Sequence, residues 1–276
     1  MKISDLEIKS KDLRREILEM CVNARTGHVT SSVSCIDILI ALYHGRILNY
    51  DIKNPRWKER DRFILSKGQA SPALYTVLAD VGFYGKEELT RFAQEGGMFG
   101  VHLQNDVPGV EITSGSLGQG FGIAAGIALG ARLNRELHMT VALLGDGECY
   151  EGSIWETAMF ASHYRLNNLV AIVDRNYLCA TDFTENLVML EPLDAKWASF
   201  GWDVRRIDGH SMDAILGSLQ GIRSRRSTDP LVIIADTVKG KGIDSMCFDP
   251  LWHSVAPQGE EAEKARRCLE KWCSYE

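Results

Sequence analysis

The sequence has no long apolar run, and charge of neither sign dominates it. Its most apolar stretch, Phe121 to Ala131, is too short to cross a bilayer and is followed at once by Arg132. Acidic and basic residues are interspersed and sum to a net charge of −6, so no broad basic surface for nucleic acid or acidic membrane is present. The N-terminus lacks the apolar segment of a signal peptide. We therefore expect a cytoplasmic protein that acts on small molecules, with no nucleic-acid or membrane partner.

The sequence also lacks paired cysteine motifs and linkers of the kind that separate domains. The seven cysteines are an odd number and include no Cys-x-x-Cys pair, which argues against a disulfide framework and against a zinc site. No repeat, low-complexity tract or Pro/Gly/Ser-rich linker divides the chain. The 45% hydrophobic content allows a sizeable core. We predict a single domain over residues 1–276, with a C-terminal tail from about 246 that is helical from Gly259 onward.

What the sequence does contain is an alternation of buried strands and helical patterns. Three unbroken apolar runs have strand length, namely Thr140 to Leu144, Leu169 to Val173 and Leu231 to Ala235. Such runs are typical of parallel sheets covered on both faces. Helical spacing occurs in Leu13 to Val22, in Ile36 to Tyr43 with Ser34 as a candidate N-cap, and in Ser153 to Arg165 between the first two strands. The predicted fold class is α/β, a parallel sheet with helices on both faces.

Polar residues follow the first two of these strands. Gly145-Asp146-Gly147 ends the first, and Asp174-Arg175-Asn176 ends the second. Parallel sheets bind ligands at the carboxyl ends of their strands, so both turns should meet at one edge. Magnesium prefers hard oxygen ligands and is usually shared with a phosphate, which the flanking glycines would allow to approach closely. A Gly-Asp-Gly is also typical of an ordinary turn, but its position between two buried strands favours a metal and diphosphate site.

The spacing of these residues resembles a known motif. Gly-Asp-Gly, the 28 residues 148–175 and then Asn176 are similar to the motif shared by thiamine-diphosphate enzymes. The surrounding sequence, GDGECYEGSIWETAMFASHYRLNNLVAIVDRN, resembles transketolases rather than 2-oxo acid dehydrogenases. The resemblance implies a thiamine-diphosphate-binding fold that holds the cofactor with Mg²⁺ or another divalent ion such as Ca²⁺ or Mn²⁺. It also implies that Asp146, the Asn176 side chain and the Leu178 carbonyl ligate the metal.

Three further segments resemble transketolases in the same order, namely RTGHVTSSVSCIDILIALY, RDRFILSKGQASPALY and VHLQNDVPGVEITSGSLGQG. The resemblance implies that His28 and His102 contact the donor sugar, although a single histidine is more often structural. It further implies two groups of cofactor-binding residues. Gly115, Ser116 and Leu117 would line the aminopyrimidine, and Gly145, Gly147, Glu148 and Asn176 would surround the diphosphate. Glu151 would belong to a carboxylate network between the active sites of two subunits, or simply place favourable charge in the first turn of a helix.

The sequence departs from the transketolase pattern near the expected substrate site. Gln69 stands where the family usually has histidine, and it replaces a group that can transfer protons with a neutral amide. His253 is kept, but Ser254 replaces the adjacent histidine, and Thr30 and Ser31 replace two small glycines. We retain Gln69 and His253 as candidate catalytic residues. The identities of the donor and acceptor sugars stay open.

Four glycines after the third segment recur at every fourth residue, at Gly118, Gly122, Gly126 and Gly130. They place one smooth face on a helix, and glycine costs about 0.5–1 kcal/mol relative to alanine in a helix interior. A close contact should compensate for this cost. We expect that face to pack tightly on the sheet, and a role in a subunit interface is the alternative.

In this family a second domain supplies the glutamate that activates the cofactor and the pocket for its pyrimidine, and neither is recognisable in this sequence. The resemblance therefore implies a partner chain equivalent to the C-terminal half of transketolase, in an α2β2 assembly that acts on sugars or sugar phosphates. The leading interpretation is a two-chain transketolase that transfers a two-carbon ketol unit from a ketose to an aldose. The alternatives are a subunit of a 2-oxo acid dehydrogenase-like or carrier-charging enzyme, and a catalytically silent regulatory homologue.

Overall fold

A five-stranded parallel sheet forms the centre of the protein in a computed structural model that describes residues 1–274 and the side chains of residues 1–272. The strands are β1 (Arg62–Leu65), β2 (Thr140–Gly145), β3 (Leu169–Arg175), β4 (Asp203–Asp208) and β5 (Leu231–Asp236). They lie in the order β1-β2-β3-β5-β4, and every neighbouring pair is parallel. The three predicted strands are confirmed as β2, β3 and β5.

Helices alternate with these strands, and further helices precede β1 and follow β5. They are α1 (Ile3–Ala24), α2 (Val29–Tyr43), α3 (Ser71–Val81), α4 (Gln119–Leu133), α5 (Gly152–His163), α6 (Thr184–Leu187), α7 (Leu193–Ser199), α8 (Met212–Leu219) and α9 (Glu260–Ser274). The predicted crossover helix is confirmed as α5. The capping role predicted for Ser34 is wrong, because α2 begins five residues earlier at Val29 and His28 occupies the N-cap position. Ser34 instead donates a hydrogen bond from inside the helix to Asp174 Oδ2 at 2.7 Å.

The side chains of each strand alternate between two hydrophobic clusters, one on each face of the sheet. On one face, β2 residues Val141 and Leu143 pack with residues of α1, α2, α3, α8 and α9. On the other face, Ala142 and Leu144 pack with residues of α4, α5 and α7. This alternation is the ordinary consequence of strand geometry. The prediction of helices on both faces is confirmed.

The C-terminal helix α9 packs against α1 on the first of these faces. Arg266 Nε lies 2.7 Å from Glu19 Oε1, and the Arg14 guanidinium lies 5.0 Å from the centre of the Trp272 ring. Between 244 and 259 the chain forms only two short 3-10 turns, at Asp244–Met246 and Pro250–Trp252. The single-domain organisation stays a prediction. Among the described residues, no helix combines the length and the apolar content needed to cross a membrane.

The glycine-rich face of α4 does not pack on the sheet, so that expectation is wrong. A Cβ atom added at Gly126 or Gly130 would meet nothing within 4 Å, and one at Gly122 would meet only the Thr157 hydroxyl at 3.5 Å. Gly118 is the N-cap residue, with φ of 80°, rather than part of the helix. The sheet is contacted instead by the opposite side of α4, through Phe121, Ala124, Ala125 and Ala128.

Candidate active site

The site begins at the turn that ends β2. Asp146 caps the 3-10 turn Gly147–Tyr150, since its Oδ1 accepts a hydrogen bond from Gly147 N at 2.8 Å. Its Oδ2 accepts from Tyr177 N at 2.6 Å and from Arg175 Nη1 at 3.1 Å. Burial raises the pKa of this carboxyl even though Arg175 opposes that shift. A carboxylate that is costly to bury would be stabilised by a bound cation.

The turn that ends β3 supplies two further oxygens at the same edge of the sheet. Gly145 and Asp174 are partners in the β2–β3 register, which brings the two turns together. Asn176 Nδ2 donates to Asp174 Oδ2 at 3.1 Å, and its Oδ1 accepts from Leu178 N at 3.2 Å. The Asp146 carboxylate, the Asn176 side-chain oxygen and the Leu178 main-chain carbonyl are hard ligands suited to Mg²⁺. This donor set fits the predicted metal.

A cleft of about 220 Å³ opens at this edge of the sheet. Its lining residues are Ser31, Lys67, Gln69, Leu117, Gly145, Asp146, Gly147, Glu148, Asn176, Leu178, Cys179, Ala180, Lys239 and His253. The cleft therefore brings together nine residues that were selected from the sequence. Five others, namely His28, His102, Gly115, Ser116 and Glu151, do not line it.

The three predicted histidines lie together, with His28 within contact distance of the other two rings. The His28 ring centre lies 5.6 Å from that of His253 and 5.9 Å from that of His102. Gly115 faces the His102 ring, because a Cβ added there would lie 3.2 Å from it. Burial and the neighbouring His102 lower the pKa of His28 to about 4, and burial and Lys239 lower the pKa of His253 to about 4. Both imidazoles are therefore neutral near pH 7.

Glu148 and Glu151 have different surroundings although both were predicted as site residues. Glu148 is buried, and its carboxylate accepts from Gly118 N at 2.9 Å, from Gly145 N at 3.0 Å and from the Ser66 hydroxyl. These bonds tie the start of α4 to the Asp146 turn, so Glu148 holds the walls of the cleft in place. Glu151 is exposed at the N-cap of α5, beside Gly118 and outside the cleft. Its role between subunits stays a prediction.

Two lysines of the cleft were not selected from the sequence. Lys67 follows β1 and pairs with the buried Asp174, while its Nζ also donates to Ser31 O at 3.0 Å. Lys239 follows β5 and donates to Leu178 O at 3.2 Å, and its Nζ lies 2.8 Å from His253 Nδ1. Burial, followed by the charge of Lys67, lowers the pKa of Lys239 to about 8. Their positions two and three residues after the ends of β1 and β5 were the one available signal, and that signal does not reveal burial.

The sequence profile described as "Transketolase, thiamine diphosphate binding domain" matches residues 10–270. The chain belongs to the transketolase family. It is 36% identical over 267 residues to an apulose-4-phosphate transketolase subunit of Phocaeicola vulgatus, covering 97% of this chain and 94% of that one. It is 40% identical over 239 residues to "6-deoxy-6-sulfo-D-fructose transketolase subunit SqwG" of a Clostridium species, covering 86% of each chain.

Single-chain transketolases match over only part of their length. The human transketolase is 34% identical over 253 residues, which are 91% of this chain and 40% of the human protein. The crystal structure of the Campylobacter jejuni transketolase superposes with a TM-score of 0.89 at 30% identity, covering 98% of this chain and 43% of that one. This transketolase-family chain therefore corresponds to somewhat less than half of a single-chain transketolase. Its thiamine-diphosphate-binding fold is confirmed.

Proposed function

We propose that this chain is the N-terminal, diphosphate-binding subunit of a two-chain transketolase that transfers a two-carbon ketol unit from a ketose to an aldose. The observation that carries the proposal is the cleft itself. It is lined by Asp146, Asn176 and Leu178, whose oxygens could hold a metal, together with Lys239 and His253; the His28 ring lies 5.6 Å from that of His253 and 5.9 Å from that of His102. A candidate anion site and the neutral ring of His253 thus share one opening, with His28 beside His253.

The residues of the cleft divide into a cofactor end and a substrate end. Asp146, Asn176 and the Leu178 carbonyl would hold Mg²⁺ or another divalent cation, and Gly145 and Gly147 would let the diphosphate approach the backbone. Gly115, Ser116 and Leu117 would line the aminopyrimidine. Thiamine diphosphate supplies an electron sink for carbon–carbon bond cleavage. The protein's contribution here is to bind, to orient and to exclude water.

The histidines would orient the donor sugar. Because His28 and His253 are neutral, each ring has one donor and one acceptor nitrogen. In His253 the acceptor Nδ1 lies 2.8 Å from Lys239 Nζ, so its Nε2–H is the group left for a polyhydroxylated ligand. The buried Nδ1 of His28 has no hydrogen-bond partner among the described residues, so it is available to a ligand hydroxyl. Gln69 lines the same cleft and adds a neutral amide. Ser254 is exposed and does not line it.

The proposal includes a second, different chain, for two reasons. Three relatives of similar length are named as transketolase subunits, and the single-chain human transketolase is more than twice as long as this chain. Two exposed apolar segments also lie close in the sequence to residues of the cleft. Phe183, Leu187, Val188 and Met189 follow the metal turn, and Phe248, Leu251 and Val255 flank His253. Groups of exposed apolar side chains are typical of a surface that another chain covers. The partner would supply the activating glutamate and the pyrimidine pocket.

A second exposed surface supports pairing of two copies of this chain. We call it the α4–α5 face, and its exposed residues are Ile123, Leu133, Met159, Phe160 and Tyr164. The open glycines Gly122, Gly126 and Gly130 lie on the same helix. Small residues allow close approach of helices, and twofold pairing is the commonest closed assembly. With one partner subunit bound to each copy, the assembly would be α2β2.

The test is to co-express the chain with the product of the adjacent gene and to assay ketol transfer. The donor panel should contain hydroxypyruvate, free ketoses, ketose phosphates and 6-deoxy-6-sulfofructose, with an aldose phosphate as acceptor. We expect transfer that depends on thiamine diphosphate and on a divalent ion. Decarboxylation of a 2-oxo acid without ketol transfer would identify the carrier-charging alternative. Cofactor binding without any turnover would identify a silent regulatory subunit.

A further inference from the structure

Thr30 contacts both loops that carry the substrate end of the cleft. It lies in the first turn of α2, two residues after His28, and is fully buried. Its Oγ1 donates a hydrogen bond to Trp252 O at 2.9 Å, and its main-chain O accepts one from Gly240 N at 3.2 Å. A single residue thus joins three segments that are distant in the sequence.

The two main-chain groups that Thr30 contacts are adjacent in the sequence to residues that line the cleft. Trp252 directly precedes His253, and Gly240 directly follows Lys239. Lys239 Nζ and His253 Nδ1 lie 2.8 Å apart. The two hydrogen bonds of Thr30 therefore attach to the main chain next to Lys239 and next to His253. Through them, the position of this pair is linked to the helix turn that follows His28.

The turn Pro250–Trp252 is attached to the rest of the described chain by two contacts, namely the packing of the partly buried Trp252 against the core and the hydrogen bond from Thr30. None of its three residues is buried, and Leu251 is 80% exposed. Asp249 Oδ1 accepts from Leu251 N at 2.9 Å, but this bond lies within the turn and does not attach it to the rest of the protein. The Thr30 hydroxyl therefore adds a directional tether, from the buried core to the Trp252 carbonyl, to the non-directional packing of the Trp252 ring.

We propose that Thr30 is a positioning residue whose hydroxyl sets the place of His253 opposite His28, and so controls binding of the donor sugar. The inference rests on the proposed function in assigning His253 to the donor. Removing the hydroxyl leaves the Trp252 carbonyl without its partner, which frees the turn to move toward water. Displacements of about 1 Å in a site can lower rates by about a hundredfold.

The experiment compares variants that differ by one group. Thr30→Val removes the hydroxyl but keeps the size and the β-branch, whereas Thr30→Ser keeps the hydroxyl. Thr76→Val is the matched control, because Thr76 is also fully buried and its Oγ1 donates only within its own helix, to Pro72 O at 2.7 Å. Thr30→Ala is a second hydroxyl-free variant for use should the valine variant fail to fold. All are measured in the chain mixed with its partner subunit.

We expect Thr30→Val to lower kcat/KM for the ketose donor by about tenfold, with the cofactor Kd changed by less than about twofold. Thr30→Ser should recover activity to within about threefold of the original, and Thr76→Val should match the original. Unchanged kcat/KM in Thr30→Val would overturn the proposal. So would a serine variant as impaired as the valine variant, because the methyl group rather than the hydroxyl would then be responsible.

A second measurement does not depend on activity. In the isolated chain labelled with ¹⁵N-histidine, the ring resonances of His253 are assigned by their loss in His253→Asn. Thr30→Val should shift these resonances and Thr76→Val should leave them in place; unmoved resonances in Thr30→Val contradict the tether. If the original mixture shows no ketol transfer, the proposed function fails, whereas the tether is still decided by the spectra.

Discussion

The buried pair of Lys67 and Asp174 offers a quantitative test of what holds the cleft together. Asp174 is fully buried at the end of β3, and four side chains donate to its carboxylate: Lys67, Ser34, Asn176 and Thr237. Replacing Asp174 with leucine leaves the ammonium of Lys67 buried without its anion. Breaking a buried pair in this way costs about 3–5 kcal/mol. We expect a loss of that size in the free energy of unfolding.

Urea unfolding of three variants distinguishes the interaction energy between Lys67 and Asp174 from the contributions of their other contacts. Asp174→Leu and Lys67→Met remove one partner each, and the double variant removes both. The double variant leaves neither site with an unpaired buried charge. Its loss of unfolding free energy should therefore be smaller than the sum of the losses in the two single variants, by about 1–3 kcal/mol. Additive losses, or a loss below about 1 kcal/mol in Asp174→Leu, would refute the reasoning.

The same pair gives the sign of a pH effect. Burial alone would raise the pKa of Asp174, but the charge and hydrogen bond of Lys67 lower it below its ordinary value. Its contribution to stability is therefore present above the unfolded-state pKa of about 3.9 and is lost as the pH falls through the lower folded value. The unfolding free energy of the original chain should fall on acidification in that window, and that of Asp174→Leu should fall less.

Three further predictions concern binding and activity. Asp146→Ala should abolish magnesium-dependent binding of thiamine diphosphate in calorimetry. Its far-UV circular dichroism should be unchanged, since Arg175 keeps Glu185 and Glu191 as partners. Unchanged cofactor affinity would contradict the metal assignment. His102→Ala should lower turnover at saturating cofactor for every donor, hydroxypyruvate included, without weakening cofactor binding, and unaltered activity would make the histidine structural. The isolated chain should show no ketol transfer and should bind the cofactor weakly, and titration with the partner should restore transfer and tight binding together. Light scattering of the mixture should then report an α2β2 assembly. Full activity without the partner would exclude the two-chain arrangement.

The strands that could be predicted are those buried on both faces. All residues of β2 and β3 are buried, so their apolar runs are unbroken in the sequence. By contrast, β4 is an edge strand whose sequence is DVRRID, and none of its residues is fully buried. Its polar residues face partly to solvent, which removes the apolar signal. β1 has only four residues, too few to establish a period.

The same distinction applies to the site. Asp146 and Asn176 could be predicted because they directly follow recognisable strands, and strand order alone brings them together. Lys67 and Lys239 could not, because a lysine is usually exposed and its burial depends on partners from other segments. The outward direction of the glycine face of α4 also could not be predicted, since four-residue spacing defines a face without saying what that face contacts.

The open α4–α5 face has a consequence for the thermodynamics of purified samples. On the proposed pairing, unfolding is coupled to dissociation, so the midpoint of thermal unfolding should rise with protein concentration. Melting temperatures measured at different dilutions are then not comparable with one another. A bulky charged substitution at Gly126, where an added Cβ atom would meet nothing within 4 Å, should lower the midpoint at high concentration and remove this dependence.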